Sequence, residues 1–238
     1  KIMTRRITFK RVLLVLLIIY AIFFLLPKPS NVSGDNPLMK DSSGKPILIA
    51  HGGGNHEFPD NTLEAFYHAY SIDPNVMMET DVNLTKDGII ILSHDTTLDR
   101  KTSLQNADII NINYSDLIVD QVDFSYQNEV VPNSNGYNVS GVLNEYENYL
   151  GEHVTPLDVI YPQGVTPRDS ELFLATTLED LITTFPNNEI NVEVKQEGQI
   201  GLDALNKIIE LMDRLDDTYD TYSRIVLVTF HKDIFNEM

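Results

Sequence analysis

Six titratable side chains in this sequence lie at or near the ends of short apolar runs, where their types and spacing suit acid–base and metal chemistry. They are His51, Glu79, Asp81, His94, Glu193 and Lys195. Glu79 and Asp81 are two positions apart, so they point to the same face of an extended strand. Glu193 and Lys195 have the same spacing, and each histidine directly follows an apolar run. These residue types define a candidate site.

The chemistry of this site follows from its donor atoms. Three carboxylates in a chain without cysteine favour a hard, oxygen-preferring cation, and Ca²⁺ and Mg²⁺ both fit. Such a cation attracts an anionic substrate such as a phosphodiester. The two histidines can act as general acid and general base, because the imidazole pKa lies near neutral pH. Lys195 and the backbone N–H groups of Gly52 and Gly53 would bind substrate and offset charge on its phosphate oxygens.

Short apolar runs alternate with amphipathic segments along the chain, which predicts strands alternating with helices. The predicted strands are 47–50, 76–83, 89–93, 189–194 and 225–230, and the predicted helices are 62–70, 177–185 and 200–215. Asp60 or Asn61 is the expected cap of the first helix. This alternation favours a parallel sheet with helices outside it. In a parallel barrel the carboxyl ends of the strands meet at one mouth, which would gather the six side chains and also His231.

Residues 104–173 interrupt the alternation. They are rich in Asn, Tyr and Asp and contain only weak strand patterns, such as 119–124. Since seventy residues are too many for an ordinary loop, we expect an inserted subdomain after the third strand. The α/β domain as a whole would cover residues 46–238.

The N-terminal segment differs sharply in charge from the rest. Residues 1–28 hold six basic and no acidic residues, leaving 11 basic and 35 acidic residues for the remainder. A membrane-spanning helix over residues 7–26 would have the ~20 residues that cross a bilayer, with the N-terminus cytoplasmic and the acidic domain outside. A cleaved signal peptide is the main competing interpretation, and a buried core helix is a third. Residues 29–45 are expected to form a flexible stalk.

The acidic domain excludes several classes of protein. A net charge of −24 beyond residue 28 argues against a nucleic-acid binder, which would present a basic stripe. The absence of cysteine excludes disulfides, thiolate zinc sites and a cysteine nucleophile. Nothing in the sequence points to a protein partner.

Several spaced motifs together resemble the glycerophosphodiester phosphodiesterase family. The family pattern has a strand ending in H-R-G, followed by P-E-N-T-x-x-A-F, E-x-D-V, T-x-D-G and H-D-x-x-L-x-R. The corresponding segments here are HGG at 51–53, PDNTLEAF at 59–66, ETDV at 79–82, TKDG at 85–88 and HDTTLDR at 94–100. The later segments NVEVK, 191–195, and VTF, 228–230, resemble two further strands of the family. The order and number of the motifs make this resemblance specific, and with the N-terminal apolar segment the chain resembles a membrane-anchored, bacterial-type member of the family.

The resemblance implies a TIM barrel of the phospholipase-C-like type and cleavage of glycerophosphodiesters to glycerol 3-phosphate and an alcohol. It implies that His51 and His94 are the acid–base pair, with Lys195 on phosphate. It also implies that one divalent metal is held by the three acidic residues, Glu79, Asp81 and Glu193.

The sequence departs from the family in two ways. Gly52 replaces the arginine that grips a phosphate oxygen, so charge-assisted hydrogen bonds are lost. Only about five strands are present where a barrel needs eight, so we expect a C-terminally incomplete barrel. These departures leave two alternatives, a non-catalytic metal- or phosphate-binding membrane-anchored domain and a sphingomyelinase-D-like phospholipase.

Overall fold

The computed structural model describes residues 9–25, 47–126, 129–132, 138–141, 146–168 and 170–238. The chain divides into two compact units, Lys1–Ser42 and Ser43–Met238. The first contains helix α1, Phe9–Leu25, with 17 residues. Among the described residues, no helix combines the length and apolar character that crossing a membrane requires. The predicted stalk, 29–45, and most of the basic residues before the apolar run lie outside the described residues.

A five-stranded sheet forms the centre of the second unit. It contains β1 (Ile49–His51), β2 (Met77–Leu84), β3 (Ile90–Leu92), β8 (Ile190–Val194) and β9 (Ile225–Val228). The order is β1-β2-β8-β9, with β3 pairing off this path onto β2. The four strands of the main path are parallel, as predicted, and β2 lies at their centre with every residue buried. This register aligns His51 with Glu79, and Asp81 with Glu193.

The prediction that the third strand also runs parallel is wrong. β3 pairs antiparallel with β2, with Val82 opposite Leu92 and Leu84 opposite Ile90. The physical reason is the length of the connection, because a parallel neighbour needs a crossover of a dozen or more residues. The turn at 85–88 allows only a hairpin. His94 nevertheless reaches the site, because β3 runs back along β2 and the Ser93 N–H donates to the Asp81 carbonyl.

The first strand is also less buried than its apolar run predicted. Leu48 and Ile49 are exposed, since β1 pairs only with β2 among the described strands. Among the described strands β1 is therefore an edge strand, and its last residue, His51, still reaches the site.

Helices cover the sheet, and the first three of the following five match helices that the periodicity predicted. They are α2 (Leu63–Ile72), α4 (Leu178–Thr184), α5 (Gly198–Tyr219), α6 (Thr221–Arg224) and α7 (Lys232–Phe235). Thr177 caps α4 in a capping box with Asp180. The predicted cap of α2 is wrong: Thr62 accepts the Ala65 N–H, which frees the two preceding residues for the site.

Residues 104–173 fold partly as short elements against the same core. They include a 3-10 turn at Ile109–Asn111, helix α3 (Tyr114–Val119) and a second sheet of β4 (Glu129–Pro132), β5 (Asn138–Gly141), β6 (Tyr146–Glu147) and β7 (His153–Val154). No strand forms over 119–124, where α3 ends instead. Phe124, Tyr146 and Phe173 join the hydrophobic core of the unit. That the segment is an insertion stays a prediction.

Candidate active site

The three predicted metal-ligating acids come together at the centre of the sheet. Glu79 and Asp81 project from β2, and Glu193 projects from β8, directly beside Asp81 in the ladder. One carboxylate oxygen from each residue lies within 4.8 Å of the other two. Glu79 and Asp81 are only 7% and 3% exposed. Buried like charges are costly unless a cation compensates them, so this geometry favours a cation site.

Lys195 lies among these carboxylates. Its Nζ donates to Glu193 Oε1 at 2.9 Å and lies 3.4 Å from Asp81 Oδ1. Burial opposes its charge, but the hydrogen bond to Glu193 and the nearby Asp81 raise the pKa of Lys195. The ammonium therefore remains charged and offers a fixed positive group to an anionic substrate.

Burial, and secondly repulsion within the cluster, affect the ionisation of Glu79. Burial and then the charge of Asp81 raise the pKa of Glu79 above its ordinary value. A carboxylate cluster under this repulsion binds a hard cation well, and its all-oxygen donor set suits Ca²⁺ or Mg²⁺. The residues present therefore fit one divalent metal.

His94 is oriented by a chain of charged partners. Its Nδ1 lies 2.8 Å from Asp95 Oδ1, and its Nε2 lies 3.4 Å from Lys195 Nζ. Arg100 Nε donates to the other Asp95 oxygen at 2.6 Å. The hydrogen bond to Asp95 raises the pKa of His94, and the same contact holds the pKa of Asp95 well below its usual range. His94 is thus aimed at the carboxylate cluster with its ring orientation fixed.

His51 lies on the other side of the cluster. Its Nε2 is 3.8 Å from Glu79 Oε2, and its Nδ1 is 3.4 Å from Asn55 Nδ2. The His51 side chain is 66% exposed and that of His94 is 48% exposed, so both can meet substrate from solvent. His231 is near as well, with its Nε2 3.0 Å from the Lys195 carbonyl.

The glycine run after His51 does not offer free amides to substrate. The Gly52 N–H donates to both the Glu79 carbonyl and Glu79 Oε2 at 3.0 Å, and the Gly53 N–H donates to the Ala50 carbonyl. In this structure the Gly52 N–H orients Glu79 and the Gly53 N–H closes the turn, and the substrate-binding role of Gly52 and Gly53 stays a prediction. Gly53 has φ +80°, and a Cβ there would lie 2.7 Å from the Ala65 backbone.

A buried polar residue missed from the sequence supports the site. Asn61 has left-handed φ of 56° and makes contacts from both ends of its amide. Its Nδ2 donates to Asp81 Oδ2 at 3.0 Å, and its Oδ1 accepts from the Asp81 N–H at 3.1 Å and from the Thr80 hydroxyl at 2.7 Å. Because Asn61 lies just before a predicted helix, the sequence indicated only a helix cap at this position.

Fold and site together define a class: a TIM-barrel-like α/β protein with a candidate divalent-metal and acid–base site. Residues 51–238 match the Glycerophosphoryl diester phosphodiesterase family, so the chain belongs to that family. The predicted membership of a phosphodiesterase enzyme family is confirmed.

Relatives from different sources match this chain. Human lysophospholipase D GDPD1 is 27% identical over 168 residues, covering 70% of this chain and 41% of that protein. A glycerophosphodiester phosphodiesterase from Caldanaerobacter subterraneus is 42% identical over 59 residues, covering 25% of this chain and 24% of the relative. The chain spans about two fifths of the length of the lysophospholipase D relatives. Since human and bacterial proteins both match, the bacterial type stays a prediction.

A solved structure shares the fold. The Oleispira antarctica phosphodiesterase OLEI02445, solved in complex with the product sn-glycerol-3-phosphate, has a TM-score of 0.54 and 18% identity. The likeness covers 82% of this chain and 61% of that one. The TIM-barrel-like fold class is confirmed by this likeness.

Proposed function

We propose that this protein is a metal-dependent phosphoric diester hydrolase that cleaves glycerophosphodiesters to glycerol 3-phosphate and an alcohol. The observation that carries the proposal is the convergence of three carboxylates within 4.8 Å, beside Lys195 and between two histidines. The names of the relatives extend the candidate substrates to lysophospholipids.

Glu79, Asp81 and Glu193 would hold the divalent cation, and the bound cation would supply positive charge against the phosphate oxygens. Lys195 binds a further phosphate oxygen and offsets charge that grows as the diester bond breaks. Because the amide of Gly52 is engaged with Glu79 and position 52 has no cationic side chain, Lys195 carries more of this task than it would beside an arginine.

The two histidines divide the proton transfers. The raised pKa of His94, caused chiefly by the hydrogen bond to Asp95, favours His94 as the group that gives a proton to the leaving alcohol oxygen. His51 would then take the proton from the neighbouring glycerol hydroxyl as its oxygen bonds to phosphorus and the alcohol leaves. Water would open the cyclic phosphate so formed, with the two histidines exchanging roles. The net reaction adds one water across a P–O bond.

We also propose that the N-terminal segment anchors the enzyme in a membrane, with the catalytic domain on the extracytoplasmic side. The uncharged run at 12–27 follows four basic residues at positions 5, 6, 10 and 11, and the rest of the chain is acidic. An anchor of this kind would hold the site near lipid headgroups.

The test is hydrolysis by the purified protein in detergent, with glycerophosphocholine and lysophosphatidylcholine as substrates. Each is assayed with Ca²⁺, with Mg²⁺ and with chelator, for wild type, Glu79→Gln and the surface control Glu210→Gln. We expect turnover that chelator and Glu79→Gln each reduce by about a thousandfold or more, and that Glu210→Gln leaves unchanged.

A second candidate function is a non-catalytic metal- or phosphate-binding domain, and Gly52 is the observation that favours it. Folded protein that binds Ca²⁺ but hydrolyses neither substrate would support that candidate and contradict the hydrolase proposal.

A further inference from the structure

A buried charged cluster lies behind the metal-ligating acids, outside the groups that meet substrate. It consists of Asp60, Lys101 and Tyr126, which are 8%, 3% and 5% exposed. Lys101 Nζ donates to the Asp60 carbonyl oxygen and lies 3.4 Å from Asp60 Oδ1. The Tyr126 hydroxyl donates to that same carboxylate oxygen. A lysine buried to this degree requires a partner, and Asp60 is that partner.

Asn61 connects the cluster to the candidate metal site. Asn61 Nδ2 bridges Asp60 Oδ2 and Asp81 Oδ2, at 3.0 Å to each. The second Asp60 oxygen is occupied by Lys101 and Tyr126, so the Asp60 carboxylate can turn little. The orientation of the Asn61 amide, and through it that of Asp81, therefore depends on this cluster.

The backbone of the cluster is held in an unfavourable conformation. Tyr126 has φ of 59°, in the left-handed region that bulky residues rarely adopt. Its N–H donates to the Lys101 carbonyl at 2.9 Å, while its side chain reaches Asp60. Such conformations persist where the surroundings over-determine them, and they concentrate at functional sites.

The same tyrosine also touches the support of His94. The Arg100 guanidinium lies 5.3 Å from the Tyr126 ring centroid, and Lys101 Nζ lies 5.8 Å from it. Arg100 in turn binds Asp95, the partner of His94. Arg100 and Lys101 are consecutive in the chain: Arg100 supports His94 through Asp95, and Lys101 binds Asp60, which supports Asp81 through Asn61. The Tyr126 ring lies near both cations.

We infer that Asp60, Lys101 and Tyr126 are positioning residues that set the affinity of the carboxylate site for its divalent cation, with Asn61 as the link to Asp81. The inference rests on the proposed function insofar as that function requires a cation at this site. Since Tyr126 comes from residues 104–173, this segment helps to shape the metal site and does more than cover the domain.

Two tyrosines give a matched test. Tyr146 is fully buried with its ring centroid 6.3 Å from that of Tyr126, but its hydroxyl has no hydrogen-bond partner within the described part of the chain. Tyr126→Phe and Tyr146→Phe each remove one buried hydroxyl, and only the first removes a donor to Asp60. A third variant, Asn61→Gly, removes the bridging amide, and glycine adopts the left-handed backbone of position 61 without strain.

The measurement is calorimetric titration of the metal-free full chain with Ca²⁺, with thermal unfolding of each metal-free variant as the check on folding. We expect Tyr126→Phe to weaken Ca²⁺ binding by about three- to tenfold and Asn61→Gly by about tenfold or more, while Tyr146→Phe stays within about twofold. In the assay, kcat of Tyr126→Phe should recover at saturating metal.

Equal Ca²⁺ affinities for Tyr126→Phe and Tyr146→Phe would overturn the inference, as would a kcat that stays low at saturating metal. Wild-type protein that binds no Ca²⁺ in this titration, and no Mg²⁺ in a parallel one, would overturn it together with the metal dependence of the proposed function. If wild type binds Ca²⁺ and Tyr126→Phe and Asn61→Gly bind it equally well, only the positioning role would be overturned.

Discussion

At the scale of single residues, the site is organised by contacts that fix each charged group. Lys195 is held between Glu193 and Asp81, and His94 between Asp95 and Lys195. A group held in this way needs little reorganisation when substrate arrives, which is a main source of electrostatic catalysis.

The Asp95–His94 contact leads to a prediction on ionisation. The pKa of His94 lies above its ordinary value of 6.5, chiefly because of the hydrogen bond to Asp95. We expect Asp95→Asn to lower the pKa of His94, whereas Asp203→Asn, an exposed change on α5, should leave it unchanged. Titration of the His94 ring protons by NMR measures both, and an unaltered His94 pKa in Asp95→Asn would contradict the proposed role of the contact.

The same contact sets a pH dependence of stability. Because the folded-state pKa of His94 is raised, its contribution is complete below the unfolded value and is lost as the pH rises through the folded value. The depressed pKa of Asp95 acts in the opposite range: its contribution is present above its unfolded value of 3.8 and is lost on further acidification.

At the scale of elements, the turn after β1 is limited by close packing. Gly53 has φ +80° and its missing Cβ would meet the backbone of Ala65 in α2, whereas Gly164 has φ +89° and open space around it. Gly164→Ala should therefore lower the free energy of unfolding by about 1–2 kcal/mol, which is the cost of placing an alanine in the left-handed backbone region. Gly53→Ala should cost about 2 kcal/mol more, because α2 must shift. Urea unfolding measures the difference, and equal costs would contradict the packing explanation.

Arg224 joins α4, the loop that follows it and α5 through their carbonyl groups. It is buried and donates to the carbonyls of Ile182, Phe185, Asn188 and Tyr219. Arg214, in contrast, is exposed and forms a two-bonded pair with Glu179.

Replacing these arginines by methionine should have very different effects. Arg224→Met leaves buried carbonyls unsatisfied and should lower the free energy of unfolding by about 3 kcal/mol. Arg214→Met breaks only a surface ion pair and should cost less than about 1 kcal/mol. Denaturant unfolding of both variants checks the contrast, and a larger loss for Arg214→Met would refute it.

The elements also show what the sequence could and could not predict. Strand and helix positions followed from apolar periodicity, and the alignment of polar residues at strand ends predicted the carboxylate cluster. The antiparallel β3 was predictable from the short turn at 85–88, since no crossover fits there. The cluster of Asp60, Lys101 and Tyr126 was not, because it depends on burial of charge and on contacts between residues far apart in the chain.

At the scale of the whole molecule, the charge distribution is the basis of the proposed membrane anchor. The basic N-terminal residues and the uncharged run at 12–27 are adjacent in sequence, while the acidic residues all lie beyond residue 28. The proposed anchor is therefore confined to a segment of the sequence that holds none of the candidate site residues.

Arginine substitutions give a direct test of the anchor. Leu16→Arg with Ile19→Arg places two charges in the apolar run, at a cost of about 2.5–3.5 kcal/mol each for a residue near a helix centre in a bilayer. Leu157→Arg with Ile160→Arg makes the same change at two exposed apolar positions of the second unit. We expect wild type and the second variant to stay in the membrane fraction after carbonate washing and the first to be released. Wild-type protein that washes off, or equal retention of both variants, would mean that this segment does not anchor the chain.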